Sequence, residues 1–475
     1  MTGRGGVWER RVAPGDLRQT VEDLLDAGGT VDGLFAAGSA GEGLEVRYAC
    51  SRPEGDLLVR CPAPQGAVPT LVDRLPHLAW DEREAHDLYG VGFRGHEPLR
   101  PLVHHPSDLA AWTTAIVGDD VHQVAVGPVH AGVIESGHFR FHSVGERIVH
   151  LDTRLFYKHR GLERRAEGHS VGDAIGALRH ACGVCAVANC VAGAQAGEQS
   201  LGLWPTPSVR RARTLLLELE RLYNHVNDIG QICAGVGLAP GAMAFAALKE
   251  RAQRLNHDLT GHRFLFDTVT SGGSALTIPA SAALAARSRL RDLHLDTSAA
   301  WRALLFDASL RDRARGAGVL PGHEAVRLGT RGPSARASGV SADVRERSPR
   351  LAYPGFRAAG PGAPDGDVAA RMRVRAAELE DTFAILDELL DGPIVPGGVL
   401  RSGPDGIHGV GRVEGPRGEA LCVLERDGGA VRRVHLRTAS YANWPSVAHA
   451  ATGAILPDFP LINKSFELCY ACADR

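Results

Sequence analysis

Two Cys-x-x-Cys pairs stand far apart in the sequence. One is Cys182 and Cys185, within Arg179-His180-Ala181-Cys182-Gly183-Val184-Cys185; the other is Cys469 and Cys472, within Leu468-Cys469-Tyr470-Ala471-Cys472. This spacing lets two thiolates converge on one metal from adjacent backbone turns, and Gly183 lets the main chain come close. Thiolates are soft ligands suited to nickel, iron or zinc, whereas magnesium and calcium prefer oxygen. Taken alone, the first pair is more often two buried thiols near a helix start than a metal or redox site. The second pair lies where chains normally fray, so something must hold it down, and a metal bond would do so. A zinc site built from all four cysteines is the alternative, but zinc ribbons set their pairs only about 15–20 residues apart. If the pairs share a metal, the second must fold back beside residue 182.

The elements that position these residues are readable in outline. A chain of 475 residues suggests two domains or more. Its 44% hydrophobic and 23% charged residues are those of a globular protein with a sizeable core. A formal net charge of −2 argues against nucleic acid as a partner. No stretch approaches the roughly 18 apolar residues of a membrane span, and residues 1–6 lack the apolar core of a secretory signal. The expected location is therefore cytoplasmic. Nine cysteines in a chain this long are not a small secreted disulfide framework. Cys50, Cys61, Cys190, Cys233 and Cys422 read as buried free thiols.

Residues 1–108 read as a small α/β domain, with a helix over 17–27, strands over 43–50 and 56–61, and a charged helix over 81–90 ended by Gly90. Residues 102–111 read as a linker. The second domain, 109–475, opens with a β run over 121–129 and a hairpin, 138–142 and 147–151, turning at Gly145. Helical periodicity then dominates, with an amphipathic helix through Leu215–Leu222 and another over 368–390. The Gly-, Arg- and Pro-rich stretch 311–364 reads as an ordered loop wrapping the surface. From Val410 onward the pattern is mixed β and loop. The fold class is α+β, a small α/β domain followed by a large, mainly helical one with peripheral β-hairpins.

One Cys-x-x-Cys near the start of a helical domain and another near the end resembles the ligand pattern of nickel–iron hydrogenase large subunits. The surrounding segments resemble the energy-converting branch of that family, the formate hydrogenlyase and hydrogenase-4 type. They are Gly127–His130, Glu135–Arg140, Arg154–Gly161, Arg336–Gly339, Pro416–Gly418, Tyr441–Pro445, Pro460–Ile462 and Cys469–Arg475. The segments Glu82–Glu84, Asp87–Gly90 and Gly95-His96 are similar to the 30-kDa subunit of respiratory complex I, and the C-terminal part resembles its 49-kDa subunit. The first domain would then be a docking domain.

The resemblance implies a nickel–iron centre, with Cys182, Cys185, Cys469 and Cys472 binding nickel and Cys185 and Cys472 bridging to an iron that carries cyanide and carbon monoxide. It implies Glu135 as first proton carrier and Arg417 as a guanidinium over the open metal position. Pro416, Ser440 (or Ser446) and His130 would contact or shape the cofactor, with His138 a further candidate donor. Arg336–Gly339 would position, and Tyr441 and Trp444 would be core. The reaction implied is interconversion of H2 with protons and electrons. No spare cysteine cluster could hold a relay, so the partners implied are an iron–sulfur small subunit and the membrane subunits of an energy-converting complex, which would hold the chain on the inner face of the cell membrane. The alternative is a non-hydrogenase protein of the complex I type, similar to the fused C/D component of NADH–quinone oxidoreductase and tied to quinone and NAD chemistry. A structural zinc protein is the third reading. The sequence departs from the hydrogenase pattern at His180, where arginine is usual, at Asn189, where histidine is usual, and at Glu467-Leu468, in place of Asp-Pro. The last residue, Arg475, stands where the family's C-terminal extension is cut, as expected either of a mature form or of a precursor made without an extension.

Overall fold

The structure, a computed structural model, describes residues 7–38, 43–130, 135–358 and 363–475. Residues 1–6, and residues 359–362 of the Gly/Arg/Pro-rich stretch, lie outside the described residues. The fold is α+β. In the N-terminal part, strands Trp8–Arg11, Gly55–Pro62, Glu45–Arg52 and Thr30–Ala37 lie side by side in that order, the first pair parallel and the rest antiparallel. Helices Leu17–Asp26 and Ala79–Tyr89 accompany the sheet, and Gly90 ends the second with a left-handed φ of 73°. Strand Thr30–Ala37 was not expected. It is buried along nearly its whole length, so it lacks the alternation that marks a half-exposed strand.

The hairpin His138–Val144/Arg147–Arg154 forms as read, turning at Gly145, and strand Val121–Val126 joins it as a third strand. The helical body follows. Helix Ala186–Ser200 is almost wholly buried, and the helix Pro207–Gly235 packs beside Val368–Leu389 and Ala239–Thr260. Sheet His408–Gly415, Gly418–Asp427, Ala430–Arg437 presses against helix Ala186–Ser200. Gly409 and Gly411, two apart and so on one face, make this possible. A Cβ at either would stand 1.8 or 1.9 Å from the carbonyl oxygen of Ala196 or Ala192.

Two expectations need correction. The 311–364 stretch is not a surface wrap: it carries helices Gly322–Arg327 and Gly332–Ala337, and it sends Arg336 and Arg345 into the core. There Arg336 pairs with Glu378 at 2.6 Å and Glu414 at 2.9 Å, and Arg345 with Asp343 at 2.7 Å. Buried partners override the punctuation of Gly and Pro. The region after Val410 is strand only to Arg437; three helices follow, Ala439–Ala451, Phe459–Phe466 and Tyr470–Asp474. Pro445 inside the first of them hides it from a pattern reading. Tyr441 and Trp444 are core, as expected.

The N-terminal part is joined to the larger one by charge as much as by apolar contact. Asp32 meets Arg412 at 2.9 Å and Arg331 at 3.0 Å, Arg437 meets Asp81 at 2.8 Å, and His408 meets Glu9 at 2.6 Å. Phe35 stacks on His435 with ring centroids 4.8 Å apart. The 102–104 backbone is not slack, since all three N–H groups donate to Asp87.

Candidate metal centre

The first cysteine pair occupies the turn between helices Val171–Arg179 and Ala186–Ser200, with Cys185 as the cap of the second helix. A thiolate there faces the positive end of the helix dipole. Glu220, on the Pro207–Gly235 helix, accepts the N–H groups of Val187 at 2.7 Å and Ala188 at 3.1 Å, which fixes this helix start. Burial pushes the Glu220 carboxyl up to about 7.

The second pair is brought back to the first. Cys182 Sγ lies 3.0 Å from Cys469 Sγ, and the sulfurs of Cys182, Cys185 and Cys472 all lie within 4.8 Å of one another. The returning segment is clipped at several points. The Cys469 N–H donates to Ser440 Oγ at 3.0 Å, and Thr438 Oγ1 donates to the Cys472 carbonyl at 2.9 Å. Asp474 accepts the N–H groups of Phe156 at 2.7 Å and Lys158 at 2.9 Å. The thiols share protons unequally. Hydrogen bonds from Cys182 and Cys472 bring Cys185 down to about 6, while the bond with Cys182 drives Cys469 up to about 12. Four sulfurs at this spacing, three buried and that of Cys469 half-buried, cannot all ionise without a cation among them, so the donor set fits a thiophilic metal.

A small cavity beside these sulfurs is lined by Cys185, Cys472, Asn189, Pro416, Arg417 and Ser440, among others. Arg417 is buried and held on three sides: by the Glu467 carbonyl at 2.8 Å, by Asn224 Oδ1, and by Asp228 at 3.4 Å. Asn224 and Asp228 are four residues apart and so share a helix face, a spacing visible in the sequence but not singled out there. Glu135 accepts the Ala471 N–H at 2.9 Å and the Cys469 thiol at 3.6 Å. Burial, then the neighbouring Cys469, raises its carboxyl above the usual glutamate range.

The other expected residues divide. Pro416 and Ser440 line the cavity, Ser440 with its oxygen already accepting from Cys469. His130 donates from Nε2 to the Gly137 carbonyl at 2.8 Å and lies beside Phe139, and His138 Nδ1 is 3.2 Å from the Gly127 carbonyl. Both brace the loop that carries Glu135. Ser446 bonds Thr330 at 2.7 Å and is not among the residues lining the cavity. His180 is exposed, and Arg179 pairs with Asp267. Asn189 Nδ2 stands 3.9 Å from Cys472 Sγ. Glu467 adopts a left-handed φ of 50°, and burial followed by Asp228 lifts its carboxyl to about 7.

Residues 236–403 and 400–475 match the family described as the 49 Kd subunit of respiratory-chain NADH dehydrogenase, and residues 11–112 match its 30 Kd subunit. Hydrogenase-4 component G of Escherichia coli (strain K12) is 30% identical over 437 residues, covering 86% of this chain and 76% of that protein. The chain belongs to the complex I-related hydrogenase large-subunit family. Another relative of this large subunit, formate hydrogenlyase subunit 5 of the same organism, is 30% identical over 441 residues, covering 86% and 77% of the two chains. Among solved structures, a chain of the membrane-bound sulfane sulfur reductase, an archaeal respiratory membrane complex, matches the large subunit with a TM-score of 0.67 at 27% identity. It covers 76% of this chain and 100% of that one.

Proposed function

We propose that this large subunit holds a nickel–iron centre on Cys182, Cys185, Cys469 and Cys472 and interconverts H2 with protons and electrons. The observation that carries the reading is the meeting of four sulfurs from opposite ends of the large domain, beside Arg417 and Glu135. When bound, the centre supplies an electron-rich metal pair for heterolytic cleavage of H2.

The chain's own residues do the rest. Glu135, with its raised carboxyl, takes up and releases a proton at Oε2 beside Cys469. Arg417 presents a fixed, permanently charged donor to the cavity, held by Asn224 and Asp228 so that it does not collapse onto the sulfurs. Pro416 lines the cavity without a backbone N–H to attract water. His130 keeps the Glu135 loop in place through Gly137.

Electrons leave through an iron–sulfur partner subunit. No helix among the described residues is long and apolar enough to cross a membrane, and the matched structure belongs to a membrane complex. In this reading the large subunit sits at the inner membrane face, held there by partner subunits. The test is isotope exchange between D2 and water by the complex purified with its partners. HD formation is expected, falling about 10²–10⁴-fold in Glu135→Gln with metal content unchanged. No exchange by the metal-loaded wild type would contradict the reading.

A further inference from the structure

Arg475 is buried, 3% exposed, and its guanidinium lies between two carboxylates from different domains. Nη2 pairs with Glu84, on helix Ala79–Tyr89 of the N-terminal part, and Nη1 pairs with Glu163 at 3.0 Å. Nη1 also donates to the Leu436 carbonyl at 2.5 Å, and the group lies over the Tyr441 ring at 4.6 Å. Glu84, Glu163 and His435 converge closely enough to hold a metal ion, and the side chain actually placed among them is this guanidinium. We propose that Glu84 is a positioning residue for the thiolate cavity: with Glu163 it holds Arg475, and through the Tyr470–Asp474 helix it holds Cys469 and Cys472 in place.

Glu163 cannot do this alone. It already pairs with Arg433 at 2.8 Å, lies 3.3 Å from His435, and accepts the Leu436 N–H at 2.9 Å. Without Glu84, two buried guanidiniums would share one carboxylate, an arrangement relieved only by moving one toward water. Arg433 has no second carboxylate beside it to lose when Glu84 is removed and keeps its bond to the Ala36 carbonyl at 3.2 Å, so the loss falls on Arg475, left with the Leu436 carbonyl, the Tyr441 ring and a shared Glu163. Only two residues separate it from Cys472, on a helix that rises about 1.5 Å per residue, so its departure drags the cysteine with it. The N-terminal domain is thereby part of the site's architecture, and not only a docking module.

The inference deepens the nickel–iron reading, but its first test does not need a metal. Alkylation of Cys469 and Cys472 by iodoacetamide is followed by mass spectrometry in the metal-free full chain, with buried Cys190 as reference. Glu84→Gln is expected to speed both reactions about tenfold or more, by raising the open fraction of the segment. Glu9→Gln, at the His408 contact in the same domain interface, is expected to leave them unchanged. Should Glu84→Gln fail to fold, Glu84→Asp, one methylene shorter, is expected to speed them by a smaller factor. In the loaded complex, nickel loss to a chelator should accelerate with the same ranking. Rates within about twofold of wild type for the folded Glu84 variant, or an equal rise in Glu9→Gln, would overturn the proposal. Wild type that binds no nickel would remove the metal reading while leaving the alkylation result to stand or fall by itself.

Discussion

The two cysteine pairs reach one cavity by different routes. Cys182 and Cys185 are set by the core: a turn between two helices, a helix start clamped by Glu220, and a sheet whose glycines let it press on that helix. Cys472 sits on a helix of five residues, and Cys469 is its N-cap; the helix is too short to persist by its own hydrogen bonds. That helix is held by Ser440, Thr438, Glu135 and the Asp474 contacts, each from another element. Half of the site is thus a product of packing, and the other half is a segment fastened on by polar bonds.

The largest expected effect makes the two halves equal. Cys182→Ser and Cys469→Ser should each abolish nickel retention, because a hard oxygen replaces one of four soft ligands around a single ion. Nickel retained by either variant, measured by metal analysis of the purified complex, would break the symmetry. A middle-sized effect should separate the halves again. Asp474→Ala frees two backbone contacts of the fastened segment and should speed nickel release about 10–100-fold. Glu220→Gln keeps an acceptor at the helix start of the first pair and should change release by less than about tenfold. Equal effects of the two would show that both pairs are held alike.

What could be seen in the sequence follows the same division. The first pair is a local motif, and the 138–151 hairpin and the two long helices are local patterns that stand where alternation and periodicity place them. The fastening residues are another matter. Asp474 works on backbone N–H groups more than 300 positions away, and Arg475 on Glu84 and Glu163, relations that no spacing rule contains. The buried role of Arg336 and Arg345 was hidden for the same reason, since their partners Glu378, Glu414 and Asp343 are assembled by the fold. Asn224 and Asp228 lay in between: their helical spacing was visible, but not the Arg417 they hold.

The smallest expected effect concerns the domain interface. Burial alone would raise Asp32, but Arg412 and then Arg331 outweigh it and hold the carboxyl well below the usual aspartate range. A depressed folded-state pKa contributes stability above the unfolded value of about 3.9 and loses it as pH falls through the folded value. The resistance of wild type to urea should therefore fall on acidification below about pH 4, and Asp32→Asn should be less stable at pH 7 with a flatter acid limb. An unchanged slope in the variant would remove this ion pair from the interface's stability.

Metal analysis with infrared spectroscopy on the complex purified with its partner subunits identifies the ion that the four cysteines hold. About one nickel and one iron per chain are expected, with bands from iron-bound cyanide and carbon monoxide. Zinc alone on the four thiolates, without those bands, would contradict the nickel–iron reading.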